Sequence, residues 1–247
     1  HNEAAKIIYQ DKLDILIDLS GHSANNALGI LAYKPAGIQI SGLGYFNTTG
    51  LKAVDYFISD KYLEPTANQQ YFTEQLLVLD DSQFCYTGQS NIVESKEAPC
   101  KTNGYITFGS FNNYAKLSDD VLLLWLEILY RVPQAKLLIK TQVAANDSGV
   151  NFINERLEKL GFDLKMIILE PATRDYLNDY LKIDIALDTF PYPGGGTTCE
   201  ALYMGVPVIT LAGSSHGSRF GNSILQNAGF GELVAGNKEE YVNKAVM

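Results

Sequence analysis

The sequence predicts an α/β protein built on parallel sheets, and three observations carry that expectation. Short runs rich in Ile, Leu and Val alternate with amphipathic stretches of helical length, the order of βαβ units. One such run, Ile183 to Leu187, empties into Pro193-Gly-Gly-Gly-Thr-Thr-Cys-Glu200, a glycine-rich turn that opens the next helix. The 247 residues are 46% hydrophobic and 19% charged, the balance of a globular chain with room for one large or two modest domains.

In the first third the pattern is irregular. Residues 1–12 read as a helix with Ala4, Ala5, Ile7 and Ile8 on one side, and Leu13 to Leu19 as a strand running into the turn Ser20-Gly-His-Ser23. Leu28 to Tyr33 is a short helix closed by Lys34-Pro35, because a residue before proline leaves the helical region. Strands follow at Ile38 to Gly44, Val54 to Ser59 and Gln75 to Leu79, with a polar turn at Asn47-Thr-Thr-Gly50. Periodicity is lost over residues 80–103. The organisation expected is a first domain at 1–85, a linker at 86–103 and a second domain at 104–247.

The second domain is regular. Strands are expected at Ile106 to Phe111, Ala135 to Lys140, Leu164 to Leu169, Ile183 to Leu187, Val206 to Leu211 and Glu232 to Ala235. Helices are expected at Leu117 to Val132, Val150 to Leu160, Thr173 to Leu181, Thr197 to Met204 and Ser218 to Asn227, with a further amphipathic helix at the end of the chain. This is a doubly wound sheet, whose sites lie at the carboxyl ends of the strands.

The loops leaving those ends hold the candidate residues. Gly194, Gly195 and Gly196, followed by Thr197 and Thr198, place backbone N–H groups at a helix start, where an anion such as phosphate is favoured. Thr197-x-x-Glu200 also reads as a capping box, with hydroxyl and carboxylate serving the helix's own donors. Lys116, Arg174 and His216 with Arg219 put cations or imidazole in three of the loops, which points to an anionic ligand. A solvated Lys116, or His216 and Arg219 paired with nearby carboxylates, is the alternative. Asp184 and Asp188 flank a buried strand and are placed to bond neighbouring backbone. Tyr192 is placed to stack on a base or to fill a gap, and His22 reads as a hydrogen-bonded loop histidine.

Composition narrows the partners. A net charge of −9 and a pI near 4.8 argue against nucleic acid and anionic membrane. Cys85, Cys100 and Cys199 have neither metal spacing nor an even count, so a reducing cytoplasm and no metal are expected. No apolar run approaches the ~20 residues of a membrane span. Both ends read as cut, the first residue being His1.

Asp184 to Val208, which contains Asp-Thr-Phe-Pro-Tyr-Pro-Gly-Gly-Gly-Thr-Thr-Cys-Glu, resembles the signature of the O-linked N-acetylglucosaminyltransferase family, in its bacterial, SPINDLY-like form. Ile106 to Lys116, Asp18-Leu-Ser-Gly-His22, Leu43 to Gly50 and Ala212 to Arg219 resemble the same family in the same order. The resemblance implies a GT-B fold: two Rossmann-like halves, the N-terminal one incomplete, with a nucleotide-sugar donor between them held mostly by the C-terminal half. It implies an inverting, metal-free transfer of N-acetylglucosamine from UDP-GlcNAc to Ser or Thr hydroxyls of a protein or peptide acceptor. Similar relatives use GDP-fucose or UDP-glucose, and a catalytically silent nucleotide-sugar-binding fragment is a further alternative. By position, Lys116 matches the lysine that steadies the diphosphate and Asn113 a neighbouring polar contact. The glycine-loop amides with Thr197 and Thr198 match the pyrophosphate cradle, and Glu200 an acidic residue on the ribose. Thr173, Arg174 and Tyr176 fall in the donor-contacting segment, and Leu43 and Gly44 near the sugar pocket. The family often has a histidine where this chain has Tyr176. Its early histidine and its tetratricopeptide repeats would lie upstream of His1.

Overall fold

A computed structural model of the chain describes residues 1–64, 68–88 and 97–247. They form two compact units, residues 1–85 with 214–219, and residues 86–213 with 220–247.

In the first unit, α1 (Asn2–Gln10), β1 (Ile15–Asp18), α2 (Leu28–Leu31), β2 (Ile38–Ser41), β3 (Tyr56–Asp60) and β4 (Gln75–Leu79) build a parallel sheet in the order β1-β2-β3-β4. The register places Asp18 beside Ser41 at the carboxyl ends of β1 and β2. The Ser41 hydroxyl donates to Asp18 Oδ2 at 2.8 Å, and the Ser20 hydroxyl and Gly21 N–H donate to the same carboxylate at 2.8 and 2.9 Å. Burial works to raise the Asp18 pKa, but these donors outweigh it and hold the group below its ordinary value. The strand expected to run to Gly44 stops at Ser41. Leu43 takes a left-handed φ of 67°, and Gly44 comes so near Leu19 that a Cβ there would lie 1.8 Å from its carbonyl oxygen.

The second unit begins, among its described elements, with α3 (Pro99–Asn103), inside the segment expected to be linker. Its signals are present in the sequence: proline in the first turn and Gly104 as a left-handed cap, φ 77°. The rest of that expected linker falls partly on residues 89–96, outside the described residues. Then come β5 (Thr107–Ser110), α4 (Asp119–Arg131), β6 (Lys136–Lys140), α5 (Asp147–Lys159), β7 (Ile167–Glu170), β8 (Ile185–Leu187), α6 (Gly196–Tyr203), β9 (Val208–Leu211), α7 (Phe220–Asn227), β10 (Val234–Ala235) and α8 (Lys238–Val246). All strand pairs are parallel, in the order β10-β9-β8-β5-β6-β7. The chain winds outward from β5 through β6 and β7, then restarts at β8 on the other side of β5. The gap between β5 and β8 is therefore the topological switch point, where open α/β sheets bind ligands.

The strong amphipathic signals became the expected elements, with shifts of bounds and with 3₁₀ turns at Leu164–Met166 and His216–Arg219 where a strand and an α-helix were expected to begin. Helix α5 starts at Asp147 rather than Val150, because Asn146 accepts the Gly149 N–H at 2.9 Å and caps a turn that reads as loop. The segment expected as an α-helix from Thr173 is a 3₁₀ helix over Tyr176–Lys182, held to the end of the sheet by the ion pairs Asp179–Lys140 and Lys182–Glu170. Buried Trp125, Phe108, Leu137, Ile139 and Tyr241 centre the core. Two of its polar side chains form a chain of bonds: Trp125 Nε1 donates to the Tyr241 hydroxyl at 3.1 Å, which donates to the Asp188 carbonyl at 2.7 Å. Helices α4 and α8 thus fix the end of β8. Among the described residues no helix is long and apolar enough to cross a membrane.

Candidate functional site

Strand β8 ends at Leu187, and Asp188, only 2% exposed, organises the loop that leads from it to α6. Its Oδ1 accepts the N–H groups of Thr189 and Gly194 at 2.9 and 2.6 Å, and its Oδ2 accepts the Thr210 hydroxyl at 2.7 Å. The Thr189 hydroxyl donates to the Tyr192 carbonyl at 2.7 Å. A loop pinned at three points delivers the glycines to the start of α6. A Cβ on Gly194 would sit 2.4 Å from Thr197 Oγ1 and 2.7 Å from Thr198 Oγ1, so any larger residue forces those hydroxyls to shift. A Cβ on Gly195 would meet nothing within 4 Å, so the backbone there faces open space.

That space is a cleft of about 470 Å³ within the second unit, at the carboxyl ends of β5, β6 and β8. The expected residues that line it are Asn113, Lys116, Thr173, Tyr176, Gly195, Gly196, Thr197 and Glu200. Thr198 is buried beneath it, and Gly194 is turned toward Asp188. Arg174 is exposed and is not among the lining residues. Leu43 and Gly44 belong to the first unit. So do His216 and Arg219: His216 is buried against Phe57 and Phe72 with Nδ1 on Glu64, and Arg219 Nε donates to the Tyr62 carbonyl at 3.0 Å.

The capping-box reading of Thr197 and Glu200 is corrected by the structure. Among the described residues no side chain caps α6, whose N-cap is Gly195. The Thr197 hydroxyl turns to Asn112 Oδ1 at 3.2 Å, and the Glu200 carboxylate accepts the hydroxyls of Tyr176 and, at 3.3 Å, Tyr180. The physical reason is competition: two phenols brought by the 3₁₀ helix claim the carboxylate and leave the helix start to its glycines. Burial first, and Glu200 second, raise both phenol pKa values well above the ordinary range, so both act as donors. Tyr180 stacks on Phe111, ring centroids 4.2 Å apart.

Lys116 closes the 3₁₀ turn Tyr114–Lys116, which is capped by Asn113, whose Oδ1 accepts the Ala115 N–H at 3.0 Å. Its ammonium donates to the Pro193 carbonyl at 2.9 Å and lies over the Tyr192 ring. Burial pushes its pKa below the ordinary lysine value, with Asp188 acting the other way. The lining residues that sequence reasoning missed are Phe111, Asn112, Lys140 and Ala172. Lys140 ends β6, so the same carboxyl-end rule names it. It is almost fully buried, donating to the Pro171 carbonyl at 2.8 Å and pairing with Asp179 at 2.8 Å and Glu170 at 3.5 Å. Among the described residues no group of three or more His, Cys, Asp or Glu is clustered as a metal site.

Parallel α/β sheets in both units, with a glycine-started helix, a lysine and a carboxylate around one cleft at the switch point of the second sheet, make this an α/β protein of the GT-B type. Glycosyl transferase family 41 matches residues 1–98 and 86–247, and the chain belongs to that family. It is 43% identical over 247 residues to the probable UDP-N-acetylglucosamine–peptide N-acetylglucosaminyltransferase SPINDLY of Petunia hybrida, covering 99% of this chain and 26% of that protein. To the Arabidopsis thaliana protein of the same name it is 44% identical, covering 98% of this chain and 27% of that protein. The chain thus spans about a quarter of the length of these curated relatives. A mutant O-GlcNAc transferase of Thermobaculum terrenum superposes with a TM-score of 0.93 at 34% identity, over 99% of this chain and 47% of that one. The Anabaena HepE structure with UDP and glucose, 12% identical with a TM-score of 0.52 over 99% of this chain and 74% of that one, shares the fold alone.

Proposed function

We propose that the protein is an inverting glycosyltransferase that moves N-acetylglucosamine from UDP-GlcNAc to Ser or Thr hydroxyls of protein acceptors. The observation that carries this reading is the convergence, in one cleft, of an uncapped glycine-started helix, the Lys116 ammonium and the Glu200 carboxylate. Breaking the sugar–phosphate bond leaves negative charge on the departing diphosphate. Fixed amides of Gly195, Gly196 and Thr197 and the ammonium of Lys116 stabilise that charge without reorganising. Glu200, oriented by Tyr176 and Tyr180, takes the ribose hydroxyls, while Asn113, Thr173 and Phe111 bound the nucleotide. Leu43 and Gly44 are assigned to the sugar and Arg174 to the outer donor segment. The reaction is metal-free in this reading and takes place in the cytoplasm, with tetratricopeptide repeats upstream supplying the acceptor surface.

The named relatives and the family support this reading. Tyr176, standing where the family often has histidine, is the observation that favours testing a second one, a related transferase using GDP-fucose or UDP-glucose. Transfer from radiolabelled UDP-GlcNAc, GDP-fucose and UDP-glucose to protein acceptors, in the full-length protein with and without EDTA, tests both. Transfer from UDP-GlcNAc that survives EDTA and is abolished by Lys116→Ala is expected. Transfer from another donor alone selects the second reading. Donor binding without transfer would mean a silent nucleotide-sugar-binding protein.

A further inference from the structure

Among the described residues two ammonium groups line the cleft, and they are held in different ways. That of Lys140 is matched by carboxylates, Asp179 at 2.8 Å and Glu170 at 3.5 Å. That of Lys116 rests on the Pro193 carbonyl oxygen at 2.9 Å and on the face of the Tyr192 ring, 4.4 Å from its centroid. We infer that Tyr192 is a positioning residue for Lys116: its ring face and the neighbouring carbonyl hold the ammonium charged beside the start of α6, with donor positions to spare.

The loop geometry delivers the ring. Asp188 fixes Thr189 and Gly194 on either side, and the Thr189 hydroxyl fixes the Tyr192 carbonyl at 2.7 Å. Tyr192 is itself 46% exposed, so core packing does not account for its place. The choice of a ring over a carboxylate has a physical consequence. A carboxylate would neutralise the ammonium and compete with an incoming diphosphate. An aromatic face attracts the cation through its quadrupole and leaves the net charge intact. Of the three ammonium donors one goes to Pro193, which leaves two for oxygens of a ligand. Burial lowers the lysine's pKa and the Asp188 carboxylate raises it; the ring face favours the charged form in the same direction as Asp188.

This inference rests on Lys116 being the diphosphate partner, and its test does not depend on that. The side-chain NMR signal of Lys116, assigned by its loss in Lys116→Met, is titrated with pH in the wild type, Tyr192→Phe and Tyr192→Leu. The cation–π contact favours the charged form, so Lys116 is expected to titrate at lower pH in Tyr192→Leu and at the wild-type pH in Tyr192→Phe. UDP, as the calorimetric probe, is expected to bind Tyr192→Leu about threefold to tenfold more weakly than wild type. Tyr192→Gln serves in place of the leucine variant if that one melts early. An unchanged titration in all three proteins would overturn the role of Tyr192, whether or not UDP binds. Failure of the wild type to bind UDP would sink the diphosphate reading, and the titration would still decide for or against Tyr192.

Discussion

Asp188 Oδ1 accepts the backbone N–H of Gly194 at 2.6 Å, closing the loop between β8 and α6 on itself. The same carboxylate takes Thr189 N–H and the Thr210 hydroxyl, and a Cβ on Gly221 would lie 2.6 Å from its Oδ2. Asp188→Ala strands three buried donors and frees the glycines. A loss of about 3 kcal/mol in chemical denaturation is expected, together with loss of nucleotide binding. A variant as stable as wild type would show that the loop holds itself.

Asp188 also gives the stability a pH dependence with a definite sign. Burial raises its folded-state pKa to about 6 from the ordinary 3.8, so the folded chain holds this proton more tightly than the unfolded chain. The contribution is complete below about pH 4 and is lost as pH rises through about 6, on the order of 3 kcal/mol in all. Asp188→Asn is expected to flatten that part of the stability curve. Denaturation series at pH 4 to 7 that stay parallel in the two proteins would contradict the assignment.

Adjacent glycines are expected to separate folding from binding. Gly194→Ala drives a methyl into Thr197 and Thr198 and is expected to cost about 1–3 kcal/mol. Gly195→Ala places its methyl in open space in the cleft, so stability stays within about 0.5 kcal/mol while UDP affinity falls. Thermal melts and calorimetry on both variants check this. Equal effects on both quantities would mean that the cleft is not the ligand's place.

Glu200→Gln is expected to weaken nucleotide binding and to cost about 1–2 kcal/mol, through the two phenol donors rather than through a helix cap. A double-mutant cycle with Tyr176→Phe should show coupling above about 0.5 kcal/mol. Additive losses would remove Tyr176 as the residue that orients Glu200.

The alternating pattern, the doubly wound order and most of the cleft are legible in the sequence because periodicity and the carboxyl-end rule are local readings. Lys116 and the glycine run emerge from them directly. Lys140 obeys the same rule, yet a lysine closing a strand reads as solvated unless its carboxylate partners, 30 and 39 residues away in sequence, are known to meet it. Thr197 and Glu200 show the opposite failure. Their spacing satisfies a local motif, and the long-range approach of Tyr176 and Tyr180 overrides it. His216 and Arg219 follow β9 in sequence yet belong to the first unit, where they bond Glu64 and Tyr62, which no pattern along the chain reveals.

The most direct measurement is amide mapping of the ¹⁵N-labelled protein during titration with UDP. The largest shifts are expected at Gly195, Gly196 and Thr197, with Lys116→Ala lowering the affinity at least about tenfold while the remaining spectrum keeps its dispersion. Saturable binding that leaves those three amides unmoved and shifts residues elsewhere would contradict a diphosphate site at the start of α6.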